Sequence, residues 1–377
     1  MNVKYIKINK LSYFVVASFA ILQTIYCFLP HPMISMGDEV VYSQIARDIF
    51  DLQPVSTFHY PFIYPLVLSV GYLAGENFYD AFIIINILCK TVMLMVIIRM
   101  LDGLVSEKSK FWVILMIAAC PIVFFWSKYI MSENIMALLL VISVLFYIKN
   151  EGSDSWRKTI IAAMLGLMLY WTKYLAFVLL PIFFLYWCGY FKLLNVKTYA
   201  KENAAITVND IFHKSIIYIV TLFAAITGYA LIWCKWSMQP FTFDVLKDSM
   251  GFLTGSGPEQ SGYFLMPEAR WTIAYLCYAV MLVLLPASAF FYRKYHYERK
   301  NVFTFILLIA LTLIFVAARH STFGGEIDGR MFKLVARYVE YLPLLVIIAW
   351  SVIADRENMT HPVNIRVLRS GGVFYAP

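Results

Sequence analysis

The 377-residue sequence is 61% hydrophobic and 17% aromatic, and only 14% of its residues are charged, against about 25% in soluble domains. So few charges cannot cover a water-soluble surface, and apolar blocks of roughly 16 to 22 residues match the length that a helix needs to cross a bilayer. The composition therefore excludes a cytosolic enzyme, a secreted disulfide module, a disordered tail protein and an outer-membrane barrel.

Hydropathy predicts an all-α polytopic membrane protein with about ten transmembrane helices. Residues 1–354 are predicted to form a single membrane domain, with a first outer loop over 30–80, another over 237–270 and a short cytoplasmic tail over 355–377. The predicted spans are 11–29, 81–101, 111–127, 134–149, 159–171, 175–191, 215–235, 271–292, 302–318 and 338–354.

Lysines at the amino terminus set the predicted orientation. Lys4, Lys7 and Lys10 precede the first span and favour a cytoplasmic amino terminus, and no small-residue cleavage site follows, so this span is predicted to be a retained anchor. Alternate crossing then places twenty of the 31 Lys and Arg residues inside, so the net charge of +8 reports topology. It does not indicate a nucleic-acid surface, because no basic cluster interleaves with aromatic residues on a soluble face. The usage of Ile, Lys and Asn favours a bacterial chain and its plasma membrane, and an organellar membrane is the alternative.

The first outer loop contains the most informative pattern. An amphipathic helix is predicted from Asp38 onward, with Glu39 and the other charged residues off its apolar face. Its first turn holds Asp38 and Glu39, where the helix dipole favours carboxylates. A charge pair that only stabilises the start of a surface helix is the structural alternative. The apolar stripe that defines the predicted face consists of Val41, Ile45, Ile49 and Leu52.

The second half of this loop, residues 61–75, is apolar but too short to cross. It begins with Pro61 and Pro65 close together, and as a helix it would cover roughly 22 Å, less than the hydrocarbon core. We expect it to lie on or dip into the outer interface, which gives the loop a pair of interfacial helices.

Further acidic and basic residues are predicted at the same membrane face. Ser132 is expected to cap the helix that Glu133 begins, and this capping role alone would explain both residues. Lys128, Lys173 and Arg337 lie at the predicted outer mouths of spans, and each alone is typical of a snorkelling interfacial residue. Together these residues indicate a site that handles an anionic group.

Two other features give weaker predictions. The six cysteines are scattered one per span with no metal-ligand or disulfide spacing, so small buried hydrophobic roles are expected. The glycine-rich part of loop 237–270 is compatible with a mobile lid or with a simple connector, and it lacks the Gly-Lys-Ser/Thr of a P-loop.

The order of these motifs resembles that of GT-C glycosyltransferases, the relatives of protein O-mannosyltransferases and of the aminoarabinose transferase of lipid A. The match is best over residues 11–190 and weaker over 337–350. The motifs that carry it are the Asp38-Glu39 helix, Pro61-Phe62-Ile63-Tyr64-Pro65-Leu66, Met131-Ser132-Glu133, Thr172-Lys173, Arg337-Tyr338 and Leu342-Pro343.

The resemblance implies a polyprenyl-phosphate-linked sugar donor, an active site on the outer face and a catalytic acid/base role for Asp38. The family's Pro-Pro-Leu-Tyr-Pro is Pro-Phe-Ile-Tyr-Pro here, and the lysine before it in the aminoarabinose transferase has no counterpart, His59 being the nearest candidate. The predicted catalytic residues are Asp38, Glu39 and Glu133, and the predicted substrate-binding residues are His59, Tyr60, Tyr64, Lys128, Lys173, Arg337 and Tyr338.

Chemistry agrees with such a reaction. A glycosyl phosphate needs cations for the departing phosphate and an ionised carboxylate to take the acceptor's proton, and a single displacement inverts the sugar carbon. The acceptor (glycan, lipid or protein) and a divalent cation are left open. The alternatives are a polysaccharide polymerase or ligase, a structural membrane subunit, and a transporter, for which Lys90 inside a span is the only support.

Overall fold

The computed structural model describes residues 3–29, 37–55, 60–193, 208–236, 300–323 and 341–354, and within these ranges the chain forms helices and no strand. The 3-10 helices are Val70–Asn77, Trp126–Lys128 and Tyr174–Leu179. The α-helices are α1 Val3–Phe28, α2 Gly37–Phe50, α3 Ile63–Ser69, α4 Phe78–Met100, α5 Glu107–Ala118, α6 Pro121–Phe125, α7 Glu133–Lys149, α8 Trp156–Thr172, α9 Leu180–Trp187, α10 Tyr190–Leu193, α11 Val208–Trp236, α12 Lys300–Phe323 and α13 Leu342–Ala354.

Three helical segments of the described chain are long and apolar enough to cross a membrane, which makes this a helical integral membrane protein. They are Lys10–Phe28, Ile63–Met100 and Asn209–Ile232, and three shorter apolar helices are Ala176–Trp187, Asn301–Ala317 and Leu342–Val352. Of the ten predicted spans, 271–292 and the beginning of 338–354 lie outside the described residues, as do loop 237–270 and the tail 355–377.

Two predicted spans are interrupted by proline. The predicted span 111–127 is divided into α5, α6 and a 3-10 turn, because Pro121 has no backbone N–H and Cys120 before it is extended (φ −71°, ψ 118°). The predicted span 175–191 begins as a 3-10 helix and becomes regular only in α9, whose first turn contains Pro181. Continuous helices were therefore the wrong expectation at both places, although the apolar blocks are where hydropathy put them.

The chain reverses between α3 and α4. Gly75 has φ +61° and ψ −124°, a conformation that breaks the helix and that glycine adopts without strain. In one straight helix residues 64 and 86 would be about 33 Å apart. Instead, the Tyr64 hydroxyl is 3.0 Å from Oδ1 of Asn86, and a Cβ on Gly71 would be 2.6 Å from the Phe82 ring. Residues 63–77 are thus folded back along the first turns of α4 and do not lengthen it.

Basic residues predicted to be cytoplasmic collect at one end of the bundle. The Lys110 ammonium is buried between the carboxylates of Asp102 (2.5 Å) and Glu107 (2.7 Å). Lys149 donates a hydrogen bond to the Asp102 carbonyl oxygen, and Lys214 forms an ion pair of 2.7 Å with an aspartate after α7. Since α4, α5, α7, α8 and α11 all reach this end, the helices cross in alternation, and α2 lies at the opposite end.

A continuous apolar core fills the space between the helices. α4 packs against α7, α8 packs against α11, and α1 packs against α5. Tyr147 of α7 is fully buried in the centre, where its hydroxyl donates to the Ala162 carbonyl of α8 (2.9 Å) and lies 2.7 Å from the Tyr218 hydroxyl of α11. The described cysteines Cys27, Cys89, Cys120 and Cys188 are free thiols. The core fixes α7, α8 and α11 in one arrangement and so fixes the residues at their ends.

Candidate active site

Helix α2 begins where the sequence predicts, but its buried face is different from the predicted one. Gly37 starts the helix, and the carboxylates of Asp38 and Glu39 occupy its first turn. Leu52, expected on the apolar stripe, lies beyond the helix in a turn with φ 54° and is 80% exposed. Glu39, expected off that face, is fully buried. The observed buried face is Glu39, Tyr42, Ile45, Ala46 and Ile49.

Asp38 is half-buried and is oriented by a tyrosine that the sequence also placed in the site. The Tyr60 hydroxyl donates a hydrogen bond of 2.9 Å to Oδ1 of Asp38. The Tyr60 ring packs edge-on against the Tyr42 ring at 5.0 Å, one turn further along α2. Asp38 is therefore held by a second segment of the loop and does not extend freely into solvent.

Glu39 connects α2 to the turn before α7. Its Oε1 accepts a hydrogen bond of 2.7 Å from the backbone N–H of Ile130, and Ile130 is itself fully buried. A buried N–H needs an acceptor, and no local carbonyl is paired with it. This requirement explains why a glutamate occupies the buried face of α2, and it gives Glu39 a role in positioning the helix.

The turn over residues 126–134 is organised by two buried asparagines. The Asn134 amide donates to the carbonyl oxygens of Trp126 (3.0 Å), Tyr129 (3.1 Å) and Met131 (3.1 Å). The Asn86 amide on α4 donates to the same Tyr129 carbonyl at 2.8 Å. These bonds fix the irregular connection between α6 and α7 in the interior, where its carbonyl groups cannot reach water.

Tyr64, predicted to bind substrate, lies within this structural network. Its side chain is fully buried, and its hydroxyl donates to Oδ1 of Asn86 at 3.0 Å. Its ring packs against Tyr42 at 5.1 Å. The structure thus places Tyr64 behind the residues that surround Asp38.

Glu133 and Lys173 form a buried ion pair next to α2. Nζ of Lys173 is 2.5 Å from Oε1 of Glu133, and the two side chains are 13% and 3% exposed. Glu133 begins α7 and Lys173 ends α8, so each charge is at the end of a helix whose dipole it complements. Ser132 occupies the predicted N-cap position, but its side chain makes no capping bond and instead lies 3.4 Å from Oε2 of Glu133.

A short series of contacts joins this ion pair to the helix that carries Asp38. The Tyr42 hydroxyl on α2 donates a hydrogen bond of 3.1 Å to the Ser132 hydroxyl, which in turn contacts the Glu133 carboxylate. Because Tyr42 also packs against Tyr60, the same tyrosine contacts the partner of Asp38 and the neighbour of the ion pair. The structure therefore brings together four of the predicted site residues, Asp38, Tyr60, Glu133 and Lys173.

Lys128 lies away from these four residues, and three other predicted residues are outside the described part of the chain. The Lys128 ammonium lies over the Tyr26 ring of α1, 5.8 Å from its centroid. His59, Arg337 and Tyr338 lie outside the described residues. Within the described ranges, no three His, Cys, Asp or Glu side chains are grouped so that they could hold a metal ion.

An aromatic cluster flanks Lys173. The Tyr229 ring of α11 stacks on Phe62 at 5.2 Å and on Trp171 at 5.4 Å, and its hydroxyl is 3.1 Å from that of Tyr174. In the described part of the chain, the buried indole N–H of Trp171 has no hydrogen-bond partner. The sequence gave no signal for Tyr229, because nothing in an apolar span singles out one tyrosine.

No protein-family model matches the sequence, and no curated protein matches it. The apolar helices and the packing of α2 define an integral membrane protein in which a helix of the first loop places a carboxylate against the ends of the bundle. Its fold is similar to that of the oligosaccharyltransferase from Archaeoglobus fulgidus in the apo form, with a TM-score of 0.52 and 11% identity over 93% of this chain and 50% of that one. The complex of the same enzyme, AglB, with an inhibitory peptide and a dolichol-phosphate matches with a TM-score of 0.51 and 11% identity, over 91% and 50%.

The chain thus spans about half the length of the solved structures that it matches. At this level of identity the likeness shows the fold alone, which this chain shares with the archaeal enzyme. The resemblance predicted from the order of motifs is confirmed at the level of architecture.

Proposed function

We propose that this chain is a membrane glycosyltransferase that moves a sugar from a polyprenyl-phosphate carrier to an acceptor hydroxyl. Asp38 takes the proton from the acceptor hydroxyl as its oxygen attacks the anomeric carbon. The bond from that carbon to the phosphate oxygen breaks, and the electron pair leaves with the polyprenyl phosphate. One displacement inverts the anomeric carbon.

The observation that carries this proposal is the environment of Asp38 within a GT-C fold. The carboxylate is half-buried, its Oδ1 is fixed by Tyr60, and its helix is joined through Tyr42 and Ser132 to a buried acid–base pair. A general base must be held within hydrogen-bond reach of the proton that it removes, and a carboxylate fixed at the mouth of a helix bundle meets that requirement better than a mobile surface aspartate. Glu39 supports this geometry from behind by fixing α2 to Ile130.

The departing phosphate is assigned to Lys173. A charge-assisted hydrogen bond from an ammonium stabilises the negative charge that develops on a leaving phosphate. Lys173 is partly exposed, whereas Glu133 is almost fully buried, so the ammonium side of the pair is the accessible one. The Trp171 indole N–H, two residues before Lys173, is a second donor suited to a phosphate oxygen.

The carrier is assigned to the aromatic cluster beside this site. Phe62, Trp171 and Tyr229 present stacked rings next to Lys173, a surface suited to the first isoprene units of a polyprenyl chain. The archaeal enzyme of the second comparison was solved with a dolichol-phosphate, a carrier of the same chemical type. Ten spans and an active site on the outer face of a bacterial plasma membrane complete the proposal.

The test is a transfer assay on the purified full chain with radiolabelled lipid-linked sugars, in which released polyprenyl phosphate is measured. We expect Asp38→Asn to lower turnover by about a hundredfold or more while carrier binding is kept, as for loss of a general base. Asp48→Asn is the matched control, because Asp48 lies on the same helix and, in the described part of the chain, its carboxylate accepts a hydrogen bond from the exposed Gln44 side chain. Near-normal transfer by Asp38→Asn would remove Asp38 from the mechanism.

A transporter is the second candidate, and Lys90 favours it. Lys90 is 2% exposed within α4, and ionisable side chains inside spans commonly mark substrate pathways. Reconstituted liposomes distinguish the two functions. A transporter moves solute across the vesicle without releasing polyprenyl phosphate and loses this flux in Lys90→Met, whereas the glycosyltransferase keeps its dependence on Asp38.

A further inference from the structure

A second concave surface lies on the side of α2 away from Asp38. It is a cavity of about 400 Å³ between the end of α2 and the 3-10 helix Val70–Asn77. Residue 47 follows residue 38 by nine positions, which is about 13.5 Å along the helix and half a turn around it. The cavity is therefore separate from the proposed catalytic site. It is lined by Arg47 and Phe50 of α2, by Asp51 directly after that helix, and by Tyr72, Glu76 and Phe78.

The charged side chains of this cavity are only loosely paired with one another. Arg47 contacts Asp51 through Nε alone at 3.4 Å, and the two side chains are 61% and 44% exposed. This bond uses one of the five guanidinium N–H donors, so the group has further donors for a second acceptor. With Glu76 the cavity has one cation and two carboxylates. This set is complementary to a ligand that carries both an anionic group and an ammonium.

The aromatic walls are fixed in place. The Tyr72 hydroxyl donates to the Ser43 carbonyl at 2.8 Å, and its ring stacks on Phe78 at 4.9 Å. The Arg47 guanidinium lies 5.7 Å from the centre of the same ring, which orients it across the cavity. The shape thus depends on packing between α2 and the reversed segment and does not require a ligand to form it.

Exposed apolar side chains surround this polar cavity. Val70 is 60% exposed and Leu73 is 76% exposed, and they share one face of a 3-10 helix because that helix has three residues per turn. Leu52 at the end of α2 is 80% exposed. This helix directly precedes α4, which is long and apolar enough to cross a membrane, so we expect its apolar side chains to lie where a bilayer's headgroups meet its acyl chains.

We propose that this cavity binds the headgroup of a zwitterionic phospholipid with a primary amine, in the manner of phosphatidylethanolamine. Arg47 binds the phosphate, Asp51 and Glu76 accept hydrogen bonds from the ammonium, and the acyl chains lie on Val70 and Leu73. A choline headgroup has no N–H to donate to the carboxylates. An anionic glycerol headgroup would bring its phosphate beside two carboxylates with no ammonium to compensate them.

The experiment measures lipid retention by native mass spectrometry on the purified full chain, titrated with dioleoyl phosphatidylethanolamine, phosphatidylcholine or phosphatidylglycerol. We expect the wild-type chain to retain phosphatidylethanolamine about three- to tenfold more strongly than the other two, the range expected for partly exposed charge pairs. The Asp51→Asn/Glu76→Gln variant should lose the preference over phosphatidylcholine. Arg47→Gln should lower retention of both zwitterionic lipids.

Asp48→Asn is again the control, since Asp48 is on α2 but outside the cavity, and it should behave as the wild type. Size-exclusion profiles and melting temperatures of all variants should match the wild type, because the substituted groups are at the surface. Equal retention of the three lipids by the wild type would overturn the proposal, and so would an unchanged preference in the double variant. The measurement needs no transfer activity, so its outcome is independent of the proposed function.

Discussion

Replacing Lys173 by methionine tests whether the Glu133–Lys173 ion pair is as buried and as coupled as the structure shows it. Methionine keeps most of the length and apolar character of the lysine stem but removes the ammonium. The Glu133 carboxylate, 3% exposed, then loses its contact of 2.5 Å with the ammonium, and the Ser132 hydroxyl at 3.4 Å carries no charge that could replace it. Removing one partner of a buried ion pair typically costs about 3–5 kcal/mol of stability.

The reverse change should cost less. In Glu133→Gln the ammonium of Lys173 stays charged, but it is 13% exposed and so retains some access to water. We therefore expect a loss of about 1–2 kcal/mol, with the amide oxygen still available as an acceptor. The double variant Lys173→Met/Glu133→Gln removes both charges, and it should recover most of the stability lost in Lys173→Met, because neutral replacement of a buried pair is close to neutral in free energy.

The assay is unfolding of the four proteins by titration with sodium dodecyl sulfate in mixed micelles, followed by intrinsic fluorescence. Lys128→Met is the matched control, since its ammonium contacts the Tyr26 ring at 5.8 Å and such a contact contributes about 0.5–1 kcal/mol. The same four proteins are then tested for carrier binding. If Lys173 holds the phosphate, the double variant should be stable but should bind the carrier poorly.

Two results would refute this reasoning. If Lys173→Met is as stable as the wild type, the Glu133 carboxylate is not buried against the ammonium. If the double variant is as unstable as the sum of the single variants, the two charges are not coupled. If a stable double variant binds the carrier normally, Lys173 does not hold the phosphate. The ion pair of the wild-type protein would then have a structural role alone.

Three further substitutions test the positions of α2 and of the reversed segment. Glu39→Ala should lower stability by about 1–3 kcal/mol in the same titration because the buried N–H of Ile130 loses its acceptor, whereas Glu39→Gln should lower it by less, and equal losses would contradict this role. Gly71→Ala should cost about 1–3 kcal/mol because its Cβ would lie 2.6 Å from the Phe82 ring, and an unchanged unfolding midpoint would mean that the chain does not reverse there. Tyr60→Phe should slow transfer about fivefold, the value of one hydrogen bond, without changing carrier affinity; a loss of affinity instead would place Tyr60 at the carrier.

Much of the architecture follows from local sequence rules. The apolar blocks predicted α4, α7 and α8 within three residues at each end, because a span needs a long apolar segment whatever its neighbours are. They also predicted α1 and α11, but both helices begin seven or eight residues earlier than the apolar block. Loop helix α2 was also predicted at its observed start, from a helical period and two acidic residues in its first turn. The breaks in the predicted spans 111–127 and 175–191 each coincide with a proline, so residue-level rules contain that information too.

The buried face of α2 was not predictable in the same way. The spacing of apolar residues in α2 is compatible with two adjacent faces of the helix. Hydrophobicity alone favours the face that includes Leu52, which is exposed in the structure. The observed face is selected by Ile130, whose buried N–H requires the Glu39 carboxylate from a residue 91 positions earlier in the chain. A pattern that ranks glutamate as polar cannot find such a contact.

The same limit applies to the residues that organise the site. Asn86 and Asn134 lie within apolar helices, and both donate hydrogen bonds to backbone carbonyl groups of residues 126–131. No periodic pattern in the sequence identifies those carbonyl groups. A polar amide inside a predicted span is nevertheless a usable signal, because in a bilayer it must find a partner. The sequence contained that signal, but not the identity of the partner.

The arrangement of the ion pair suggests how donor binding and base position are connected. Without substrate, the Lys173 charge is neutralised by Glu133, so the cation can remain in a nearly dry site. A carrier phosphate that binds Lys173 must share the ammonium with Glu133, whose other oxygen contacts Ser132 and, through it, Tyr42 on α2. Under the proposed function we therefore expect a shift at the phosphate to reach the helix that holds Asp38. On this reasoning Tyr42→Phe should lower turnover at saturating donor more than it lowers donor affinity, and equal effects on both would indicate that the two ends of the site act independently.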